Sequence, residues 1–302
     1  MEWMLFAVAS SFIFALVSVL DKLLISNHVA NSRVFVATVG IAQILLGLFA
    51  LPFALESPYP ITAVIIALLS GVFSGAYLVA MFIIMESQDV SRVVPVVSTY
   101  PVFVALLAYL FLGESVTPIA WICVVITVAG AALVSLAPSR LGSRSGRESI
   151  VAMAVLFIAS MSFGLSQFLS KTIAEDMTLW GQFMLRGMGG GIVCGCLILS
   201  PAVRNGLSEV LRKPKTLSLI ALTEVVLVFF AILFFFRAIY SGEVYLTATV
   251  MATRPLFVFA LTLFLSIPFI GLFKESMEGA ALMTRTAGIV LTVGGVIGVS
   301  LL

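Results

Sequence analysis

Charged residues are scarce in this sequence. They make up only 10% of its 302 residues, with 16 lysines and arginines against 14 aspartates and glutamates. Soluble domains carry about 25% charged residues, so most of the surface of this protein is not built to face water. The net charge is only +2 and no long basic run occurs, which argues against a nucleic-acid-binding surface.

Side chains for redox, metal or acid–base chemistry are also few. The three cysteines lie in apolar segments, and the single histidine is His28. Two thiols spaced as Cys194 and Cys196 point to different faces of a helix, so neither a disulfide framework nor a metal site is expected. Metalloprotease, serine-hydrolase and P-loop motifs do not occur. We therefore expect no enzymatic activity, no cofactor and no ATP-driven step.

Apolar sequence is what the chain has in abundance, at 62% of residues and a mean hydropathy of +1.23. A helix that crosses the hydrocarbon core needs about 20 mainly apolar residues. Backbone amides inside lipid must all be paired, and apolar runs without strict alternation favour helices. The sequence therefore predicts an all-α integral membrane protein of ten transmembrane helices. The spans are predicted near residues 3–23, 33–54, 61–85, 93–112, 117–137, 149–170, 178–200, 216–239, 245–268 and 281–302.

The chain also contains a weak internal repeat. A shift of 149 positions places Lys22 on Lys171, and a shift of 154 places Pro101 on Pro255. We predict a first five-helix repeat at 1–137, a polar basic linker at 138–148 and a second five-helix repeat at 149–302. Because five is odd, the second repeat would enter the membrane from the opposite side. Many secondary transporters have such inverted repeats, with a binding site near the midplane where the repeats meet.

Lysines and arginines in short loops predict the orientation. Twelve of them fall on one side of the predicted spans, whereas four fall in loops or helices towards the other side. The first side is therefore predicted to be cytoplasmic, with both termini outside. The predicted location is the cell inner (plasma) membrane, which the chain crosses several times.

The segment Val94–Glu114 resembles the fourth helix of EamA-type transporters of the drug/metabolite transporter superfamily. It contains prolines and closes with an apolar run followed by Gly113 and Glu114. The second half has a weaker counterpart in Arg254–Leu263, followed by a seven-residue insertion, and the glycine-rich last helix of each half is also similar. The resemblance implies two inverted five-helix repeats and the export or exchange of metabolites, often amino acids. Members are commonly drawn with cytoplasmic termini, which conflicts with the loop charges.

Arg254 is the most prominent charged residue within a predicted span. It lies about ten residues into the ninth span, or roughly 15 Å deep at 1.5 Å per residue. A charge at a helix centre costs about 2.5–3.5 kcal/mol, so it usually faces a cavity or a partner. A guanidinium there can hold a carboxylate or phosphate through paired hydrogen bonds, and a structural ion pair is the alternative. Similar translocators of triose phosphates carry a Lys-Arg pair in this helix, whereas Thr253 precedes Arg254 here, which weakens the phosphate interpretation.

Two further charged residues are predicted to lie within spans. Glu224, in the eighth span, has three possible roles: an ion pair with Arg254, binding of a substrate ammonium group, or uptake of a proton. Arg186, in the seventh span, either binds substrate or extends towards the outer interface. Glycines at 187 and 189–191 follow it and allow close helix packing.

Hydroxyl and aromatic residues complete the predicted substrate-binding set. Tyr245, Thr249 and Thr253 recur every four residues and form one stripe on the ninth span, although threonine hydroxyls equally bond their own helix. On the fourth span, Thr99 is the counterpart of Thr253 in the predicted repeat, and Tyr100 is the counterpart of Arg254. Proline removes a backbone donor and kinks a helix, which makes hinges of Pro95, Pro101 and Pro255. The remaining lining candidates are Gln43, Tyr77, Gln167 and Trp180.

Together these features predict a secondary transporter, an exporter or exchanger of small metabolites such as amino acids or other carboxylate-bearing compounds. The substrate would bind between spans 3, 4, 8 and 9 and move by alternating access, with a proton or a counter-substrate as coupling partner. One alternative is a drug or organic-cation exporter centred on Glu224. A more remote alternative is a membrane scaffold or receptor that transports nothing. The expected partners are a small molecule and the lipid bilayer, without nucleic acid.

Overall fold

A computed structural model of the chain describes residues 2–55, 58–114, 116–136, 146–265 and 279–300. Over these ranges the regular structure is entirely helical. Eight helical segments in the described part of the chain are long and apolar enough to cross a membrane, and they coincide with the first four and with the sixth to ninth predicted spans. The all-α membrane class is therefore confirmed. The uninterrupted apolar stretches described in the fifth and tenth predicted spans are shorter, Pro118–Gly130 and Thr286–Gly295, so the count of ten stays a prediction.

The helices of the first half follow the predicted spans closely. Asn31 begins the second helix, because its side chain accepts a hydrogen bond from the Val34 amide at 3.1 Å. The first helix continues to Asn27, four residues past the predicted end of its span. The elements are α1 (Glu2–Asn27), α2 (Ser32–Ala54), α3 (Ile61–Met85), α4 (Val90–Val97), α5 (Pro101–Leu107), a π-helical turn (Ala108–Leu112) and α6 (Pro118–Leu136).

The second half contains an additional short helix, α9, between the seventh and eighth spans, where no helix was predicted. The helix of the sixth span begins at Gly146, inside the predicted linker, while residues 137–145 of that region lie outside the described residues. The elements are α7 (Gly146–Thr172), α8 (Leu179–Gly195), a 3-10 turn (Cys196–Leu199), α9 (Pro201–Leu211), α10 (Pro214–Ile220), a π-helical turn (Ala221–Leu227), α11 (Val228–Ser241), α12 (Val244–Met251), α13 (Arg254–Leu265) and α14 (Gly279–Ser300).

Two spans are broken at matching positions. The fourth span is interrupted between α4 and α5 at residues 98–100, and the ninth between α12 and α13 at residues 252–253. Pro101 is the first residue of α5 and Pro255 the second of α13, where a missing backbone N–H does little harm. Pro95 lies inside α4. Pro101 and Pro255 therefore lie just after the two breaks, and Pro95 lies three residues before the first.

Glycines bring α3 and α8 into backbone contact. A Cβ added to Gly75 would lie 2.8 Å from the Gly190 carbonyl oxygen, and one added to Gly189 would lie 3.1 Å from the Gly71 Cα. Such distances leave no room for a side chain, so the small residues let the two backbones approach closely. The close packing expected from the glycines after Arg186 is thus observed.

Two lysines bind the carbonyl groups at the ends of two spans. Lys22 Nζ donates to the carbonyl oxygens of Met85 at 2.6 Å and Gln88 at 3.0 Å. Lys171 Nζ donates to the carbonyl oxygens of Ile239 at 3.0 Å and Gly242 at 2.7 Å. The two lysines are 149 positions apart, and each acceptor residue in the first half is 154 positions from its counterpart in the second half. These are the two shifts of the predicted repeat. A helix C-terminus leaves carbonyl groups unpaired and favours a cation.

Lys171→Met is therefore expected to destabilise the protein, because it removes two charge-assisted hydrogen bonds while keeping most of the aliphatic stem. We expect a loss of about 2–3 kcal/mol, measured as a lower midpoint of thermal unfolding in detergent. Lys215→Met is the matched control, since Lys215 is exposed on α10. Equal midpoints for the two variants would contradict the proposed role of Lys171.

Candidate binding cavity

A cavity opens among helices of both halves. Its empty volume is about 1020 Å³, including the part that opens to solvent. Side chains from the first four spans and from the sixth to ninth spans line it. The cavity is therefore lined by the four spans predicted to hold the substrate and by four other spans. The predicted site residues that line it are Gln43, Tyr77, Tyr100, Arg186, Glu224 and Arg254.

Arg254 stands at the start of α13, just after the break in the ninth span. Its guanidinium donates to Ser18 Oγ through Nε at 3.0 Å and also through Nη2, and to the Tyr77 hydroxyl through Nη1 at 3.1 Å. It also lies 5.5 Å from the centre of the Phe14 ring. No carboxylate oxygen of the described residues lies within 4.0 Å of it. The ion pair with Glu224 is therefore not formed, and the contacts of this cation are neutral groups.

Arg186 is turned into the protein and does not extend to the outer interface, since only 9% of its surface is exposed. Nη1 donates to Ser170 Oγ at 2.9 Å and to Ser70 Oγ at 3.3 Å, and Nη2 donates to Ser74 Oγ at 3.4 Å. The guanidinium lies 4.8 Å from the centre of the Phe235 ring. Hydroxyl groups and an aromatic face thus hold this second cation in the cavity wall.

Two carboxyl groups share another part of the wall. Asp21 of α1 and Glu224 of the π-helical turn are 1% and 3% exposed, and both line the cavity. The two groups act on each other electrostatically, and Arg254 is the cation that acts on Asp21. Among the described residues, neither oxygen of Asp21 nor Oε1 of Glu224 has a hydrogen-bond partner. The cavity therefore contains buried acids whose oxygens remain available.

Aromatic rings form an apolar wall beside these charges. The ring of Phe163 stacks on Tyr77 with 4.5 Å between centroids, and Tyr100 meets it edge-on at 4.9 Å. The Tyr100 hydroxyl donates to the Ala248 carbonyl oxygen at 3.2 Å, which ties the fourth span to the ninth. This wall suits the apolar part of a ligand whose charged groups meet the arginines or the acids.

The two predicted threonines at the broken spans lie behind the cavity wall. Thr253 Oγ1 is 3.0 Å from Ser11 Oγ, and Thr99 Oγ1 is 3.0 Å from Ser160 Oγ. The serines are 149 positions apart and the threonines 154, as in the lysine contacts. Each threonine also bonds a carbonyl of its own span. These side-chain hydrogen bonds connect the broken ninth span to the first span and the broken fourth span to the sixth.

The remaining predicted residues do not line the cavity. Thr249 donates to the Tyr245 carbonyl oxygen at 2.7 Å, the bond within its own helix that was the alternative for this stripe. Tyr245 is buried in a cluster with Tyr100. Trp180 packs against Phe53 with 5.0 Å between ring centroids. The three prolines also lie outside the lining.

Asp21 lies inside the first predicted span but was not among the predicted site residues. Ser11, Phe14, Ser18 and Asp21 are spaced by three and four residues and form one face of α1. Three of them line the cavity, and Ser18 contacts Arg254. This periodicity was the available signal.

Comparison with known proteins supports the resemblance found in the sequence. Residues 1–136, somewhat less than half of the chain, match the model of the EamA-like transporter family. No curated protein matches the chain, whereas 22 chains of solved structures do. One of these, described only as the crystal structure of a protein, covers 99% of this chain and 95% of its own, with a TM-score of 0.64 and 17% identity. At that identity the likeness shows the fold alone. The likeness of this chain to the EamA-like transporter family, a family of membrane transporters, thus rests on residues 1–136.

Proposed function

We propose that this protein is a secondary transporter of small carboxylate-bearing metabolites, amino acids among them. The observation that carries the proposal is Arg254, a guanidinium in the cavity wall with no carboxylate within 4.0 Å among the described residues. A guanidinium binds a carboxylate through two parallel N–H donors. The N-terminal end of α13, where Arg254 lies, adds partial positive charge. An anionic group of the substrate would therefore bind here.

Alternating access would come from two inverted five-helix repeats, 1–137 and 149–302. The lysine contacts, the serine–threonine contacts and the two broken spans support this arrangement, because they recur at shifts of 149 and 154 positions. Transporters with inverted repeats bind substrate at broken helices near the midplane. Pro101 and Pro255 would be the hinges about which the halves of each broken span move.

The rest of the substrate would meet the other groups of the cavity. Tyr77, Tyr100 and Phe163 offer aromatic surface, Gln43 offers an amide, and Arg186 offers a second cation. The energy would come from a gradient or from exchange, since the sequence has no P-loop motif.

The proposed location is the cell inner (plasma) membrane, with the loop between the seventh and eighth spans in the cytoplasm. Arg204, Arg212, Lys213 and Lys215 are all exposed on or beside α9 in that loop. Such a cluster of short-loop cations favours the cytoplasmic side, and both termini would then lie outside.

Export of organic cations is the second candidate function. The observation that favours it is the buried pair Asp21 and Glu224, whose available oxygens suit a cation. In such an exporter the acids would bind the substrate, and Arg254 would only support the cavity wall. The two functions therefore differ in the charge that a substrate must carry.

Counterflow into proteoliposomes tests these alternatives. Vesicles loaded with an unlabelled compound are diluted into the labelled one, using separate panels of amino acids, monocarboxylates and organic cations. We expect accumulation of amino acids or monocarboxylates above protein-free vesicles. Accumulation of the cations alone would favour the second candidate, and no accumulation in any panel would favour a scaffold or receptor.

A further inference from the structure

The binding of an anionic group by Arg254 gives no role to the buried acids Asp21 and Glu224. Building on the proposed transport function, we propose that they form one site that holds an exchangeable proton and releases it when the α-ammonium group of an amino acid binds. This assigns a proton as the coupling ion and an α-amino acid as the substrate class.

The geometry of the pair supports such a site. Asp21 comes from the first span and Glu224 from the eighth, so the pair joins elements of both halves of the chain. Both side chains are more than nine-tenths buried and line the cavity, and three of their four oxygens lack a hydrogen-bond partner among the described residues. A π-helical turn, which is frequent at functional sites, presents Glu224.

The charged and titratable neighbours do not neutralise the pair. Arg254 of α13 acts on Asp21 from beyond 4.0 Å and bonds hydroxyl groups instead. On α8, the thiol of Cys194 lies within electrostatic range of Glu224. Lys22 follows Asp21 on α1, and its ammonium group bonds carbonyl oxygens at the end of α3. Adjoining carboxylates in a site of low dielectric repel each other, and a single proton or monocation between them relieves the repulsion.

The position of Arg254 explains why the cation would be an α-ammonium group. Ser18, which Arg254 contacts, lies three residues before Asp21 on α1, or about 4.5 Å along the helix axis. A carboxylate on Arg254 and an ammonium group on the acids would therefore be close together, as they are on one α-carbon. When the ammonium group arrives with its own positive charge, the proton leaves the pair for water on the open side. Each substrate molecule would thus be exchanged for a proton.

The shared proton can be tested without knowing the substrate. Infrared spectra of the purified protein at neutral pH are expected to show the carbonyl band of a protonated carboxyl group. The band should remain in Asp176→Asn, a control in an exposed turn, and should disappear in the Asp21→Asn, Glu224→Gln double variant. If the double variant does not fold, each single variant should shift or remove the band. A wild-type spectrum without the band, or variants that leave it unchanged, would overturn the inference.

The exchange step is tested with L-phenylalanine, chosen because the cavity wall is aromatic, and with 3-phenylpropionate, which lacks the ammonium group. Phenylalanine should release protons from the wild-type protein in weakly buffered detergent, whereas 3-phenylpropionate should release none. Both Asp21→Asn and Glu224→Gln should lose the release. Equal counterflow of the two compounds without proton release would refute the exchange and leave the proposed transport function intact. If no amino acid or monocarboxylate is transported, the transport function itself fails, and the infrared band still decides whether the pair holds a proton.

Discussion

Arg254→Ala is expected to lower the initial rate of amino-acid or monocarboxylate counterflow by a factor of at least about 100, or roughly 2.7 kcal/mol. The variant loses paired, charge-assisted hydrogen bonds to the substrate carboxylate, which are among the stronger contacts of a binding site. Its fold should change little, because the two side chains that accept hydrogen bonds from Arg254 are neutral and keep other partners. Ser18 Oγ donates to the Phe14 carbonyl oxygen at 2.7 Å, and the Tyr77 hydroxyl donates to Met81 Sδ at 3.1 Å. The measurement is counterflow in proteoliposomes, with thermal unfolding as the check on folding.

Two further variants test whether the loss of transport is specific to the guanidinium of Arg254. Arg204→Ala removes an exposed arginine of α9 outside the cavity, so its rate should equal that of the wild type. Arg254→Lys keeps the charge but loses the planar fork, and we expect a loss of about tenfold because lysine cannot make the paired contact. Full activity of a folded Arg254→Ala protein would remove the basis of the proposed function.

Gly189→Ala is expected to destabilise the protein by about 1–3 kcal/mol and to reduce transport with it. The added Cβ would lie 3.1 Å from both the Gly71 Cα and the Val72 amide nitrogen, and closer still to the Leu68 carbonyl oxygen. These are backbone atoms that cannot rotate away, so α3 and α8 must separate. The separation would disturb the cavity, because α8 carries Arg186 and α3 carries the serines that it bonds. The expected observation is a fall of several degrees in the midpoint of thermal unfolding.

Gly195→Ala is the matched control on the same helix. A Cβ at Gly195 would meet no heavy atom within 4 Å, and alanine is favoured over glycine in helices by roughly 0.5–1 kcal/mol. The control should therefore be as stable as the wild type or slightly more stable. If both alanine variants unfold at the same temperature, the close contact between α3 and α8 does not limit stability.

The sequence by itself determined the membrane class and the approximate extent of most helices. Both follow from local properties: an apolar run of about 20 residues needs a hydrocarbon environment, and its backbone must then be helical. The position of Arg254 near the middle of the ninth span also came from counting residues. Its inward placement was expected because a charge facing lipid at that depth is costly. The family resemblance likewise depended on a continuous segment ending at Gly113 and Glu114.

Only the tertiary structure decided which polar groups meet. Asp21 was not predicted as a site residue, because hydropathy along the chain cannot reveal a carboxyl group that Glu224 supplies from a distant helix. Helical spacing grouped Tyr245 and Thr249 on one stripe but could not tell which side of the helix faces the cavity. The partners of Arg186 and Arg254 are hydroxyl groups on other spans, and serines are too common in the sequence to be recognised as ligands. Which polar groups meet, and which helix faces line the cavity, depends on how the helices pack across the bundle. That packing is a long-range property, so local periodicity and composition do not reveal it.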